Sequence, residues 1–253
     1  MLQRLSSLAF RLICGCVRLA YADVEVVGAE NLPAEGAVVV GNHAQIYGPI
    51  NAELYFPRPR ITWCAAQMMA LKEVPAYAYR DFWSQKPKRV RWFYRAASFA
   101  IAPLAVCLFN NAATIPVYRD GRLRTTFRQT LERLAAGDKV VIFPEQDAPG
   151  NGIVYDFQDR FIDLARFYYK STGRALAFVP MYSAPRLKKI VIGEPVRFDP
   201  TAPLAGERAR VKRELMDGIA RLARELPRHT VIPYRNIPKK DYPENLPPEE
   251  PNR

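Results

Sequence analysis

Three short segments hold the residues best suited to chemistry. Gly41-Asn42-His43-Ala44-Gln45-Ile46-Tyr47-Gly48-Pro49 follows a run of valines, and Val140-Val141-Ile142-Phe143-Pro144-Glu145-Gln146-Asp147 closes another apolar run on two carboxylates. The third, Ile115-Pro116-Val117-Tyr118-Arg119, ends in an arginine. A histidine acts as a general base near neutral pH with little tuning, although a lone one is as often structural. Two carboxylates after a buried strand, with proline forcing an extended exit, suit an active site or form a solvated turn. An arginine at a strand end can clamp a phosphate through two parallel hydrogen bonds, or face water ahead of Asp120-Gly121.

Other chemistries find little here. The chain has two histidines, His43 and His229, and four cysteines without a C-x-x-C pair, so a zinc-type cluster is not expected. Cys14, Cys16, Cys64 and Cys107 read as buried small hydrophobes in a reducing compartment, with palmitoylation of Cys14 or Cys16 as the lesser alternative. There is no G-x-S-x-G elbow, no Walker loop and no dinucleotide fingerprint.

These segments need a scaffold. Ala37 to Asn42, Val140 to Phe143, Ala175 to Tyr182 and Lys189 to Ile192 read as strands, while Ala113 to Arg119 is a weaker strand demoted by Pro116. Asn42 reads as a helix cap after the first of them. Helical spacing of apolar residues covers Arg122 to Ala136, Phe157 to Lys170 and Glu207 to Leu226. Strands alternating with such helices predict an α/β fold with a central, largely parallel sheet flanked by helices. Functional groups in such sheets gather where strands end.

In 253 residues the net charge is +12 and 49% of residues are hydrophobic. That balance supports a sizeable core and favours anionic partners. Residues 2 to 21 carry Leu2, Leu5, Leu8, Phe10, Leu12, Ile13, Val17 and Leu19, with arginines at 4, 11 and 18. Spaced seven apart, the arginines stack along one stripe of a helix. The pattern predicts a helix lying in a membrane interface, or else one packed on its own domain. A second apolar stretch, Ala96 to Phe109, follows a basic run and is shorter than the roughly 18 residues needed to span a bilayer. It reads as a buried helix, with a second lipid-facing element as the alternative. The division expected is an amphipathic helix over 1–22, an α/β domain over 23–235 and a Pro-rich tail or strap over 236–253.

Taken in order, Asn42-His43, the strand ending at Arg119, Phe143-Pro144-Glu145 and Val179-Pro180 resemble the motifs of the glycerolipid acyltransferases, the 1-acyl-glycerol-3-phosphate acyltransferases and their relatives. The resemblance spans about residues 23 to 200. It implies that His43 takes a proton from an acceptor hydroxyl, which attacks the thioester of an acyl-CoA or acyl carrier protein, with no further cofactor. It also implies that Arg119 holds the acceptor's phosphate and that Glu145 positions the acceptor. Asn42, Gln45, Tyr47, Phe143 and Pro144 would line the substrates. The family's motif aspartate falls on Gly48, and its Phe-Pro-Glu-Gly-Thr-Arg segment reads Phe143-Pro144-Glu145-Gln146-Asp147-Ala148 here. In a Ser-His-Asp triad, losing the carboxylate's role costs roughly 10⁴ in rate. Asp147 is the leading substitute, ahead of Tyr47 and Glu145. The expectation is an acyltransferase acting on a lysophospholipid at the cytoplasmic face of a membrane, peripheral or monotopic. Two alternatives remain: a degenerate relative that binds acyl lipid or CoA without turnover, and a basic nucleic-acid-binding protein.

Overall fold

A computed structural model describes residues 2–20, 24–83 and 86–247; residues 1, 21 and 22 of the expected first helix and residues 248–253 of the expected tail lie outside the described residues. In chain order the elements are α1 (Leu2–Ala20), β1 (Glu25–Val27), β2 (Ala37–Gly41), α2 (Tyr47–Tyr55), β3 (Arg60–Ala65), α3 (Val74–Ala78), α4 (Arg91–Asn111), β4 (Thr114–Val117), α5 (Leu123–Ala135), β5 (Lys139–Ile142), α6 (Leu164–Thr172), β6 (Ala177–Ala184), β7 (Lys189–Ile192), β8 (Val196–Arg197) and α7 (Leu204–Glu225). The fold is α/β, with strands mixed in direction but mostly parallel. It divides into two compact units: residues 23–60 with 130–253, and residues 1–22 with 61–129.

In the larger unit, β2 is central and pairs in parallel with β5 on one side and β6 on the other. β6 then pairs antiparallel with β7 and β8, and β7 pairs in parallel with β1. Every residue of β2, β5 and β6 is buried, which matches their near-continuous apolar sequences. Side chains alternate between two cores. Val39, Val141, Val179 and Met181 pack with Ala52 of α2 and Phe56. On the other face, α7 packs along β6, where Gly218 lets the helix close on the Pro180 ring. Pro180 is tolerated inside a buried strand because that edge of β6 pairs with β8 through residues 177–178 and with β7 only from residue 181.

The smaller unit holds the parallel pair β3–β4, with Pro116 opposite Cys64. Here α1 packs on α4: Ser6 donates to the Asn111 side chain at 3.4 Å, and the Cys107 thiol reaches the Ser6 carbonyl at 3.5 Å. Leu8, Leu12 and Leu19 face outward and exposed, beside exposed Arg11 and Arg18. The expected buried helix over Ala96 to Phe109 is corrected. The helical stretch runs from Lys88 to Asn111, long and apolar enough by length and composition to cross a membrane, and only 17% of its most apolar window is buried. Its basic N-terminal residues continue the helix instead of preceding it. Only small residues, Ser98, Ala102 and Ala105, are buried on α4, while Trp92 is 73% and Phe99 68% exposed.

Three smaller expectations are also corrected. The helix expected from Phe157 begins at Leu164 after a 3-10 turn, because Phe157 bridges to Glu145. Cys16 is exposed and the other three cysteines are half-buried, where burial pushes the Cys64 thiol up to about 12. Asn42 caps no helix; α2 starts five residues later, at Tyr47.

Candidate active site

The site residues of the larger unit lie at the C-terminal ends of two neighbouring parallel strands, β2 and β5. Asn42 leaves β2 with its side chain closed onto the next strand. Its amide donates to the Ser183 carbonyl at 3.0 Å, and its side-chain oxygen accepts the Ser183 N–H at 2.7 Å. The side chain therefore holds the strand end through both of its polar atoms. One turn of α2 later, Asn51 donates to the Ser183 hydroxyl at 2.7 Å, so Ser183 anchors both ends of the histidine turn.

From this anchor the chain makes a strained turn. Ala44 and Gln45 both take positive φ, 44° and 57°, without being glycine. Such residues cost on the order of 1–3 kcal/mol each and persist where surrounding contacts enforce them. The turn is closed by Tyr47 N–H donating to Ala44 O at 3.1 Å and Gly48 N–H donating to His43 O at 3.0 Å. Its product is a contact within three residues: the His43 ring Nδ1 meets the Gln45 carbonyl oxygen. A carbonyl only accepts, so Nδ1 is the donor in this contact, and in the neutral ring Nε2 then carries the lone pair.

Gly48 follows from the same geometry. A Cβ at that position would lie 2.4 Å from the Asn42 carbonyl oxygen and 2.8 Å from that of His43. The aspartate expected from the family motif has no room here. The partner of the ring nitrogen Nδ1 is a backbone carbonyl, that of Gln45.

Glu145 supports the turn from β5. The residue is 4% exposed, and its two oxygens accept the backbone N–H of His43 at 2.6 Å and of Tyr155 at 2.8 Å. Burial pushes its carboxyl up to about 7, and the two N–H donors oppose that shift. Asp147, the leading substitute for the missing aspartate, is instead 64% exposed at its side chain and pairs with Arg235 at 3.7 Å. Phe143 stands edge-on to the His43 ring at 5.6 Å, and Pro144 is buried, its carbonyl accepting the Gln158 N–H. Tyr47 opens α2 at the surface.

Arg119 belongs to the smaller unit. It is exposed and lines a cleft of about 400 Å³ with Tyr118, Gln67, Glu73, Asn110 and Arg122. Arg122 lies over the Tyr118 ring at 4.3 Å and pairs with Asp120 at 2.8 Å, which holds the Asp120 carboxyl well below the usual carboxylate range.

The C-terminal segment contributes residues that sequence reasoning missed. Tyr234 stands edge-on to His43 at 5.6 Å and lies 6.0 Å from the Tyr155 ring. Tyr242 accepts a hydrogen bond from the Gln45 side-chain amide at 2.7 Å. The signal available was faint: two tyrosines in a stretch otherwise dominated by proline, lysine and glutamate.

No family model matches the chain, and no curated protein matches it. Among solved structures, it is similar to the 1-acyl-sn-glycerophosphate (LPA) acyltransferase PlsC from Thermotoga maritima, with 18% identity and a TM-score of 0.48 over 89% of this chain and 79% of that one.

Proposed function

We propose that this chain is an acyltransferase working at a membrane surface, with His43 as general base and a lysophospholipid such as 1-acyl-glycerol-3-phosphate as the acceptor. The observation that carries the reading is the His43 turn, which commits Nδ1 to the Gln45 carbonyl and leaves Nε2 as the basic nitrogen. It stands where the ordered motifs Asn42-His43, Arg119, Phe143-Pro144-Glu145 and Val179-Pro180 put the base of a glycerolipid acyltransferase.

In this reading Nε2 takes the proton of the acceptor hydroxyl as its oxygen attacks the thioester carbonyl carbon. The C–S bond breaks, and the departing thiolate takes the proton back from the imidazolium. The products are an ester and a free thiol, and no acyl-enzyme forms. Glu145 holds the base through its backbone, and Arg119 is the residue for the acceptor's phosphate. Exposed apolar side chains on α1 and α4, beside Arg11, Arg18, Arg91 and Arg95, suit anionic lipid better than nucleic acid, since exposed aliphatic Leu8, Leu12, Leu19 and Leu104 gain from an acyl-chain layer and have no stacking role on bases. The cytoplasmic leaflet offers that charge.

Gly48 favours a second reading, a relative that binds acyl lipid or CoA without turnover. One experiment separates the two: thiol release from oleoyl-CoA in the presence of vesicles containing 1-acyl-glycerol-3-phosphate or other lysophospholipids. The first reading expects product, with His43→Ala lowering turnover by roughly 10²- to 10⁴-fold. Unchanged turnover in His43→Ala overturns the base assignment, and binding without product establishes the second reading.

A further inference from the structure

The last described stretch of the chain is not a loose tail. Asn245 is 4% exposed and ties the stretch down, with its side-chain oxygen accepting the His229 N–H at 2.9 Å and its amide donating to Ala223 O at 2.8 Å and Leu226 O at 3.0 Å. Two backbone bonds add to this: Val231 N–H donates to Pro243 O at 2.8 Å and Asn245 N–H to His229 O at 3.2 Å. His229 is buried beneath them. Its Nδ1 meets the Pro227 carbonyl at 2.8 Å, so its Nε2 accepts the Tyr182 hydroxyl at 2.9 Å. Residues 229–231 and 243–245 thus form a clamped base, and the loop between them is held over the histidine turn. Tyr234 meets the ring of His43, Tyr242 meets the side chain of Gln45, and Arg235 meets Asp147.

We infer that Tyr242 is a positioning residue for His43, acting through Gln45. The orienting carbonyl of His43 belongs to a residue with φ of 57°, a conformation a non-glycine residue holds only when something holds it there. Gln45 is held at both ends: its backbone sits in the turn closed by Tyr47 and Gly48, and its side-chain amide is fixed by the Tyr242 hydroxyl. The strap therefore sets the direction of the carbonyl that selects the His43 tautomer. A motif carboxylate does this work with a charged side chain; here it is done by a backbone dipole pinned from the far end of the chain. The bond Tyr242 makes in the site is to the Gln45 side chain, so its effect on the imidazole passes through Gln45.

The inference rests on the proposed function only for its kinetic arm. The spectroscopic arm uses the full chain with ¹⁵N-labelled histidine, which gives two imidazoles, those of His43 and His229. At a pH where His43 is neutral, the wild type is expected to show it with the proton on Nδ1. Tyr242→Phe removes one oxygen and should give a mixture of tautomers at His43 while His229 keeps its signals. With oleoyl-CoA and 1-acyl-glycerol-3-phosphate vesicles, kcat should fall roughly tenfold with KM for oleoyl-CoA within about twofold of wild type. Gln45→Leu should match Tyr242→Phe, and the double variant should lose no more than either single one. If Tyr242→Phe melts well below the wild type, Gln45→Leu carries the test alone. An unchanged His43 tautomer in the folded variants overturns the inference, whether or not activity falls. If His43→Ala proves fully active, the acyltransferase reading fails while the tautomer shift still decides the role of Tyr242.

Discussion

The Glu145 carboxylate grips His43 by its backbone N–H, at 2.6 Å, while the imidazole of the same residue is oriented by the Gln45 carbonyl. A buried acid beside a histidine invites the reading of a base dyad. Here the acid builds the turn, and the turn orients the ring.

This division of labour has a pH signature. Burial raises the Glu145 carboxyl from an ordinary 4.5 to about 7. The folded chain then holds that proton more tightly than the unfolded chain does. The contribution of Glu145 to stability is fully present below about pH 4.5, declines as pH rises, and is gone above about pH 7, a change on the order of 3 kcal/mol. Glu145→Gln cannot titrate, so this falling arm should flatten, as measured by denaturant unfolding at pH values from 4 to 8.

An aspartate placed at Gly48 should harm the protein. In Gly48→Asp the new Cβ would press on the Asn42 carbonyl oxygen at 2.4 Å and on that of His43 at 2.8 Å, both fixed backbone atoms. A loss of about 2–4 kcal/mol is expected, together with lower turnover, because the clash displaces the His43 turn. Thermal melting and the oleoyl-CoA assay check both. A gain in turnover would show that the site has room for the side chain.

The exposed apolar residues of the smaller unit should be separable from its folding. Trp92→Ser together with Phe99→Ser removes two rings that are 73% and 68% exposed. Stability should change by less than about 0.5 kcal/mol per site, as for other surface positions. Binding to phosphatidylglycerol vesicles should weaken at least tenfold by sedimentation, and what remains should fall further with added salt as the arginines are screened.

Much of the scaffold was legible because strands buried on both faces announce themselves. Ala37-Val38-Val39-Val40 and Val140-Val141-Ile142 allow few other readings, and their C-terminal ends marked His43 and Glu145. The β3 strand, Arg60–Ala65, was missed because its sequence, Arg-Ile-Thr-Trp-Cys-Ala, mixes buried polar and half-buried apolar residues. The α4 helix starts earlier than its apolar stretch suggests because Arg91 and Arg95 interrupt the aromatic first turn, and it is less buried because apolar content alone does not imply burial. Within the site, the partner of the His43 ring had no residue type to recognise. A backbone carbonyl belongs to every residue, and only the positive φ of Gln45 aims this one. Tyr242 was hidden by distance along the chain, since no local spacing links it to Gln45.

That distance also orders the assembly of the site. Gln45 and Tyr242 are 197 residues apart in the chain. The entropy of bringing such ends together is repaid only after the strands between them have paired, so the contact closes late in folding. By the same token it opens early. A partial unfolding that frees the strap leaves β2, β5 and β6 intact and releases the carbonyl that orients His43, so the order of the His43 turn can be lost while the sheet still stands.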